Sequence, residues 1–174
     1  MAIRSLKRLV VDADVARATG TSDHPRATAC RGLLDEILHL GHRFVSPTAI
    51  DGEWRIHASA FSIRWHAAML SRRRVTVVTP SPATSFENTI LSGDFTPGQC
   101  ETMLKDLHLI CAAAAADRVI LSMDETARGL FGRLSVTETT LKRIAWGNPT
   151  RPEEAILAWL RAGARTEKHR RLGA

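Results

Sequence analysis

Cysteine is scarce in this chain of 174 residues: only Cys30, Cys100 and Cys111 occur. Their odd number and the lack of metal-ligand spacing argue against a disulfide framework or a structural zinc site. All three fall in stretches with helical patterning, so free buried thiols in a reducing cytoplasm are expected. Long hydrophobic runs are also missing. No segment approaches the roughly 20 apolar residues of a membrane span, and Arg4, Lys7 and Arg8 precede only a short apolar run before Asp12. Repeats and low-complexity tracts are absent as well, because the alanines at 112–116 are simply good helix-forming composition. A cytoplasmic protein with no membrane partner is the expectation.

What is present is ordinary in proportion and basic in balance. The chain is 44% hydrophobic and 24% charged, too apolar for disorder and long enough for one domain with a sizeable core. Its net charge of +6 and pI near 10.0 favour polyanionic partners, since Lys and Arg neutralising phosphates supply most nucleic-acid affinity. Residues 1–150 read as the functional domain, and 151–174 as a carboxyl-terminal helix and basic tail packed on it or extending it.

Strand and helix signals alternate along the chain. LVV before Asp12 is a short buried strand, followed by an expected polar loop over 12–25. A helix over 26–40 follows from the spacing of Cys30, Leu33, Leu34, Ile37 and Leu38, with Gly41 placed to end it. HRFVS is a second strand, and a helical stretch opens at Pro47 and runs through Glu53 to Ser71. Arg72, Arg73 and Arg74 close it before a strand at 75–79, and residues 81–95 are the least regular part. Thr96, Pro97 and Gln99 form a capping-box signature for a helix reaching about Ala116. VILS then reads as strand, 125–131 as a short helix, 141–146 as a weaker strand and 152–162 as a last helix carrying Ile156, Trp159 and Leu160. The tail RTEKHRRLGA is expected to fray. This order predicts an α/β fold of three layers, α/β/α, with a central, mainly parallel, twisted sheet of four to five strands. Ligands of such sheets bind at the carboxyl ends of the strands.

Carboxylates occur where that rule puts chemistry. Asp12 closes LVVD, and Asp124 closes VILSMD with Ser122 two residues earlier. Asp14 points the same way as Asp12, as a second ligand or an Asx-turn residue. Asp51 and Glu53 share one short helix, and the residues alone prefer neither. His57, one turn after Glu53, could pair with it on a metal, although an exposed histidine is the favoured reading. Asp106 sits among Leu104, Leu107, Leu109 and Ile110, a costly place for a charge that a cation would relieve. Asp117 lies more than about 16 Å further along the axis and reads as a helix end. His108 faces away from Asp106 and is not expected to take part.

The segments VVDAD, SPTAIDGEW and KDLHLICAAAAADRVILSMD together resemble the PIN-domain ribonucleases, over a span from Leu9 to about Pro149. In that family an aspartate closes the first strand and a glutamate sits on the helix after the second. A later helix carries another aspartate, and an Asp or Asn ends the strand that follows. Matched position by position these are Asp12, Glu53, Asp106 and Asp124, and the glutamate followed by Trp54 selects Glu53 over Asp51. The resemblance implies a catalytic cluster holding Mg²⁺ or Mn²⁺ and hydrolysing RNA. Many members are VapC-type toxins neutralised by a small antitoxin protein, whereas others are free-standing nucleases. A second aspartate at Asp14 departs from the family pattern, and the final segment lies outside its common core, where it would cap the sheet or support a homodimer.

Converging carboxylates would raise at least one pKa in a metal-free site, making metal binding pH-dependent. Asp14 and Ser122 would support the ligands from beside them, and Arg72, Arg73, Arg74 and Arg128 would follow the phosphate backbone. Two competing readings stand beside the nuclease. Asp12 and Asp14 also suit an aspartyl-phosphate-forming phosphatase, as nucleophile and acid/base, but Asp124 lacks the neighbouring aspartate and preceding lysine of that chemistry. The other is a nucleic-acid-binding module without turnover.

Overall fold

Leu9, Val10 and Val11 are fully buried at the centre of a five-stranded sheet, in strand β1 (Arg8–Val11). A strand buried on both faces reads as an unbroken apolar run, and here that run is the middle of a parallel sheet. A computed structural model describes residues 6–174, so Arg4 lies outside the described residues. After β1 come helices α1 (Ala13–Ala18) and α2 (Pro25–Leu40), strand β2 (Arg43–Val45), helices α3 (Thr48–His57) and α4 (Ala60–Ser71), and strand β3 (Val75–Thr76). Then follow α5 (Thr84–Ser92), α6 (Pro97–Ala114), β4 (Val119–Leu121), α7 (Glu125–Leu134), β5 (Ala145–Gly147) and α8 (Ile156–Arg161).

The strand order is β3-β2-β1-β4-β5 and every pairing is parallel, with Leu9 beside Phe44, Val10 beside Ile120 and Ile120 beside Trp146. Right-handed crossovers then dictate the layers. The chain steps from β1 to β3 in one direction, which puts α2 and α4 on one face. It moves the other way through β4 to β5, which puts α6 and α7 on the opposite face. Helix α8 returns to the α2 side, and the result is the expected three-layer α/β/α architecture.

Local signals explain several boundaries. Gly41 takes the left-handed conformation (φ 88°) that ends α2, and its N–H donates to the Ile37 carbonyl. Thr96 and Gln99 form the capping box that starts α6. Gly147 lets α8 close onto β5, because a Cβ there would sit 2.8 Å from Ile156 Cδ1 and 3.1 Å from Trp159 Cζ3.

Other expectations are corrected. The loop over 12–25 contains α1, which is too short to show periodicity and is capped by Asp12 itself. The helical stretch ending at Ser71 is two helices, broken where Ser59 turns extended and caps α4 in a reciprocal box with Ser62. The irregular segment 81–95 holds α5, fastened by buried Phe86 and Ile90. Strand β3 stops at Thr76, because it is an edge strand and β2 offers it no longer partner. The 141–146 strand is displaced to Ala145–Gly147, behind a 3-10 turn at Thr139–Arg143 that buries Leu141. The last helix is split by Ala155, which adopts φ 44° between the 3-10 turn Pro152–Glu154 and α8.

The tail does not fray. Arg170 is 7% exposed, lies 4.6 Å over the Trp159 ring and donates to the Glu154 carbonyl, while Leu172 N–H donates to Ile144 O at 3.0 Å. Cys30 and Cys111 are buried and Cys100 half-buried, all three as free thiols. No helix among the described residues is long and apolar enough to cross a membrane.

Candidate active site

Crossovers leaving β1 and β4 diverge to opposite sides of the sheet, and between their carboxyl ends the fold leaves a crevice. Asp12 leaves β1 at this point, with its N–H donating to Leu121 O of β4 at 3.0 Å. Ser122, fully buried at the end of β4, ties the two strand ends together. Its hydroxyl lies 2.7 Å from Asp12 Oδ2 and 3.3 Å from Asp14 Oδ2, and it accepts the Asp124 N–H at 3.0 Å. One hydroxyl has one proton, so the shorter contact to Asp12 is the better claim on it. Asp14 Oδ2 also accepts from the Met123 N–H at 2.8 Å. Asp12 Oδ1 accepts from the Asp14 N–H at 3.3 Å, and Asp124 Oδ1 accepts from the Ala127 N–H at 2.8 Å. Both aspartates therefore cap helices, α1 and α7, while presenting negative charge to the crevice.

Two further helices bring their acids to the same place. The Trp54 indole N–H donates to Val11 O at 2.9 Å, which pins α3 to the end of β1 beside Asp12. Trp54 also packs on Phe44 at 4.7 Å and on Trp65 at 5.4 Å between ring centroids, so burial of three aromatics fixes the helix that carries Glu53. From α6, Asp106 enters the crevice at only 8% exposure. His108 Nε2 of the same helix approaches Glu53 Oε2 to 3.1 Å, an ion-pair distance without hydrogen-bond alignment. His108, not expected as a partner of Asp106, reaches Glu53 instead, because α3 packs against α6.

The outcome is a cavity of about 310 Å³ into which Asp12, Asp14, Glu53, Asp106 and Asp124 all open. Arg17, Arg26, Lys105 and the exposed His57 stand on its rim. Burial, and next the Asp12 charge, push the Asp14 carboxyl up to about 7 against the pull of the Met123 N–H and the nearby Ser122 hydroxyl. The same two causes push Asp106 up to about 6, with Asp124 adding to them and Lys105 and His108 opposing. Asp14 Oδ1 is buried with no hydrogen-bond partner. As they stand, no three His, Cys, Asp or Glu side chains among the described residues are grouped tightly enough to enclose a metal ion. The acids share a cavity without closing around a point. The donor set is nevertheless all oxygen, strongly anionic and left with an unpartnered buried oxygen, which fits a hard divalent cation such as Mg²⁺ or Mn²⁺.

Other expected residues fall elsewhere. Asp51 does not line the cavity, whereas Glu53 does. Arg72, Arg73 and Arg74 immediately precede β3, and in an all-parallel sheet that is the edge opposite the crevice. Arg74 is further occupied by donating to Leu38 O at 2.6 Å. Arg128 is held between Glu125 and Glu154 at 3.4 and 2.5 Å. Asp117 pairs with Arg8 at 2.8 Å, on the amino edge. The cations at the crevice are instead Arg17, Arg26 and Lys105, none of which a motif marks in the sequence.

A parallel α/β/α protein with a carboxylate-lined crevice at its switch point is the class that this fold and site define. Neither family models nor curated proteins match the chain.

Proposed function

We propose that the protein is a divalent-metal-dependent endoribonuclease that hydrolyses RNA phosphodiester bonds. The observation that carries this reading is the convergence of acids from four separate segments on one cavity rimmed by cations. Asp12, Asp14, Asp106 and Asp124 would hold Mg²⁺ or Mn²⁺. When bound, the cation supplies Lewis-acid stabilisation of the charge that builds on the phosphorus-bound oxygens.

The chain's own residues do the rest. Arg17, Arg26 and Lys105 receive the phosphates flanking the scissile bond and offset the repulsion between an anionic strand and an anionic cavity. Glu53, held by His108 and by the Trp54 anchor, accepts a proton from the attacking water. The water oxygen bonds to phosphorus, the bond to the leaving oxygen breaks, and that oxygen takes a proton from solvent. Ser122 holds Asp12 in place through its 2.7 Å hydrogen bond. The choice of RNA over DNA, and a role as the toxin of a toxin–antitoxin pair, rest on the resemblance to PIN-domain ribonucleases.

One observation favours a second reading. Lys105 lines the same cavity as Asp12 and Asp14, so the aspartyl-phosphate phosphatase has the cation that the order of residues did not offer it. One experiment separates the two. Labelled RNA and p-nitrophenyl phosphate are incubated with the protein in Mg²⁺, Mn²⁺ or EDTA, and with Asp12→Asn and Asp106→Asn. Metal-dependent RNA cleavage lost in both variants supports the nuclease. Turnover of the small ester that needs Asp12 but not Asp106 overturns it, and RNA binding without cleavage points to a non-catalytic module.

A further inference from the structure

At the edge of the sheet opposite the acidic crevice lies a second cavity, of about 510 Å³, lined by Lys7, Asp117, Arg118, Arg143, Thr166 and Arg171. Its cations come from four separate places in the chain. Lys7 precedes β1, Arg118 precedes β4 and Arg143 precedes β5, while Arg171 is brought in by the tail, which bridges to Ala145 in antiparallel fashion. The acid in the lining is already engaged: Asp117 accepts from the Arg8 backbone N–H at 2.8 Å and from the Arg8 guanidinium at 2.8 and 3.3 Å. Burial alone would raise its carboxyl, but Arg8, with help from Lys7, holds it below its ordinary value. Among the described residues no ion pair engages Arg118, Arg143 or Arg171, and the side-chain hydrogen bond of Arg171 goes to Thr166 O at 2.8 Å. Like charges gathered in a concavity repel one another and focus a positive potential there, an arrangement that an anion stabilises.

Arg118 adds a second observation. It holds a left-handed backbone (φ 61°) at the turn from α6 to β4, where its N–H donates to Ala113 O at 3.1 Å. Glycine takes that conformation without strain, whereas a residue with a Cβ is disfavoured there. The chain thus carries an arginine where its backbone favours glycine, and that arginine is one of the residues lining this cavity.

We propose that this cavity binds an oligophosphate anion, such as pyrophosphate or the polyphosphate end of a nucleotide. Four cations against one neutralised acid match a ligand bearing several negative charges on adjacent phosphates, and Arg supplies the forked donors that phosphate oxygens accept. No aromatic side chain is among the lining residues, so recognition falls on the phosphates and not on a base. The site is independent of the acidic crevice and of the nuclease reading.

Calorimetric titration in EDTA, which keeps divalent cations off the crevice, tests the proposal with pyrophosphate and orthophosphate as probes. Pyrophosphate is expected to bind at least about tenfold more tightly than orthophosphate, and Arg143→Gln and Arg171→Gln each to weaken it by about tenfold. Arg72→Gln, a surface charge outside the cavity, leaves the affinity unchanged. Arg118→Gly is the discriminating variant: it is expected to weaken pyrophosphate while raising the melting temperature, because the left-handed strain is relieved. The proposal is overturned if pyrophosphate fails to bind at low salt or binds no better than orthophosphate. It is equally overturned by affinity that survives Arg143→Gln and Arg118→Gly, or by a short RNA binding here in place of pyrophosphate.

Discussion

Two edges of one sheet treat their carboxylates in opposite ways. At the amino edge Asp117 is met by a guanidinium and a backbone N–H of Arg8, and its carboxyl is held below the ordinary value. At the carboxyl edge half-buried Asp14 and buried Asp106 feel the charge of Asp12, and their carboxyls are pushed up to about 7 and about 6. The chain has ample cations, with 24 Lys and Arg against 18 Asp and Glu, so the carboxyl edge is not anionic for want of partners. A charge paired within the fold serves the fold. Charges crowded together without pairing cost stability, and such costs cluster where a site does chemistry.

Substitution at each edge separates the two roles most widely. Asp106→Asn is expected to lower RNA cleavage by about 10³-fold, within the range of losses when charge-stabilising or proton-transfer groups are removed. It should leave the fold intact or slightly stabilised, since it removes a buried, repelled charge. Asp117→Asn is expected to do the reverse. It should cost about 1–2 kcal/mol, held down by the partial exposure of the pair, and lower the melting temperature by several degrees. Cleavage per folded molecule should stay unchanged. Single-turnover cleavage and thermal melts on both variants check the contrast, and it fails if Asp117→Asn impairs cleavage as much as Asp106→Asn does.

The pH dependence of the metal-free protein should show which edge dominates. Asp14 and Asp106 have folded pKa values raised above the ordinary 3.8, so between about pH 4 and pH 7 the folded state binds protons that the unfolded state has lost. Their contribution is fully present below about pH 4 and is lost as pH rises through about 6 and 7. Asp117, depressed, contributes above the ordinary value and loses that contribution as acid is added. Melts in EDTA are therefore expected to fall by several degrees from pH 5 to pH 8, and Asp14→Asn should flatten the slope. Mg²⁺ should raise the melting temperature more at pH 8 than at pH 5, because the cation competes with these protons. A Mg²⁺ effect independent of pH would remove the crevice as the metal site.

The carboxyl-terminal strap offers a purely structural counterpart. Arg170 is buried over Trp159 and against Glu154, and it keeps the chain after α8 folded back along β5. Arg170→Ala leaves Glu154 with one cationic partner fewer and opens space beside the indole. A loss of about 2–3 kcal/mol is expected, read as a lower denaturation midpoint with the slope unchanged. RNA cleavage by the folded fraction should not change.

How much of this could be read in advance depended on the range of the interactions involved. The central strands were legible because a strand covered on both faces must be continuously apolar, as LVV and VIL are. Gly41 and the Thr96–Gln99 box were legible because caps are local chemistry. Asp12 and Asp124 followed from where parallel strands end. The fold of the tail was not legible, since Arg170 owes its burial to Trp159 and Glu154, 11 and 16 residues away. Nor was the reach of His108 to Glu53, which depends on how α3 and α6 are rotated against each other. The side of the sheet taken by the arginines was not legible for a related reason: a basic run is visible in sequence, but the sheet edge it occupies follows from strand direction, and Arg72, Arg73 and Arg74 precede a parallel strand.

The smallest expected effect bears on that edge. Arg73, like Arg118, sits in a left-handed turn between a helix and a strand, at φ 55°, and its N–H donates to Leu70 O at 2.9 Å. Replacing it with glycine removes a conformational penalty of about 1–2 kcal/mol. The greater freedom of glycine in the unfolded chain returns roughly half of that. A net gain of about 0.5–1 kcal/mol is expected, visible as a rise of a degree or two in the melting temperature. If the strand of RNA crossed this edge on its way to the crevice, the same change would remove a phosphate contact and lower the salt dependence of binding by about one ion. Arg17→Gln and Arg26→Gln, on the rim of the crevice, are expected to lower that salt slope, and Arg73→Gly is expected to leave it unaltered. Binding isotherms across a salt series on the three variants therefore locate the RNA path by the edge at which ions are released.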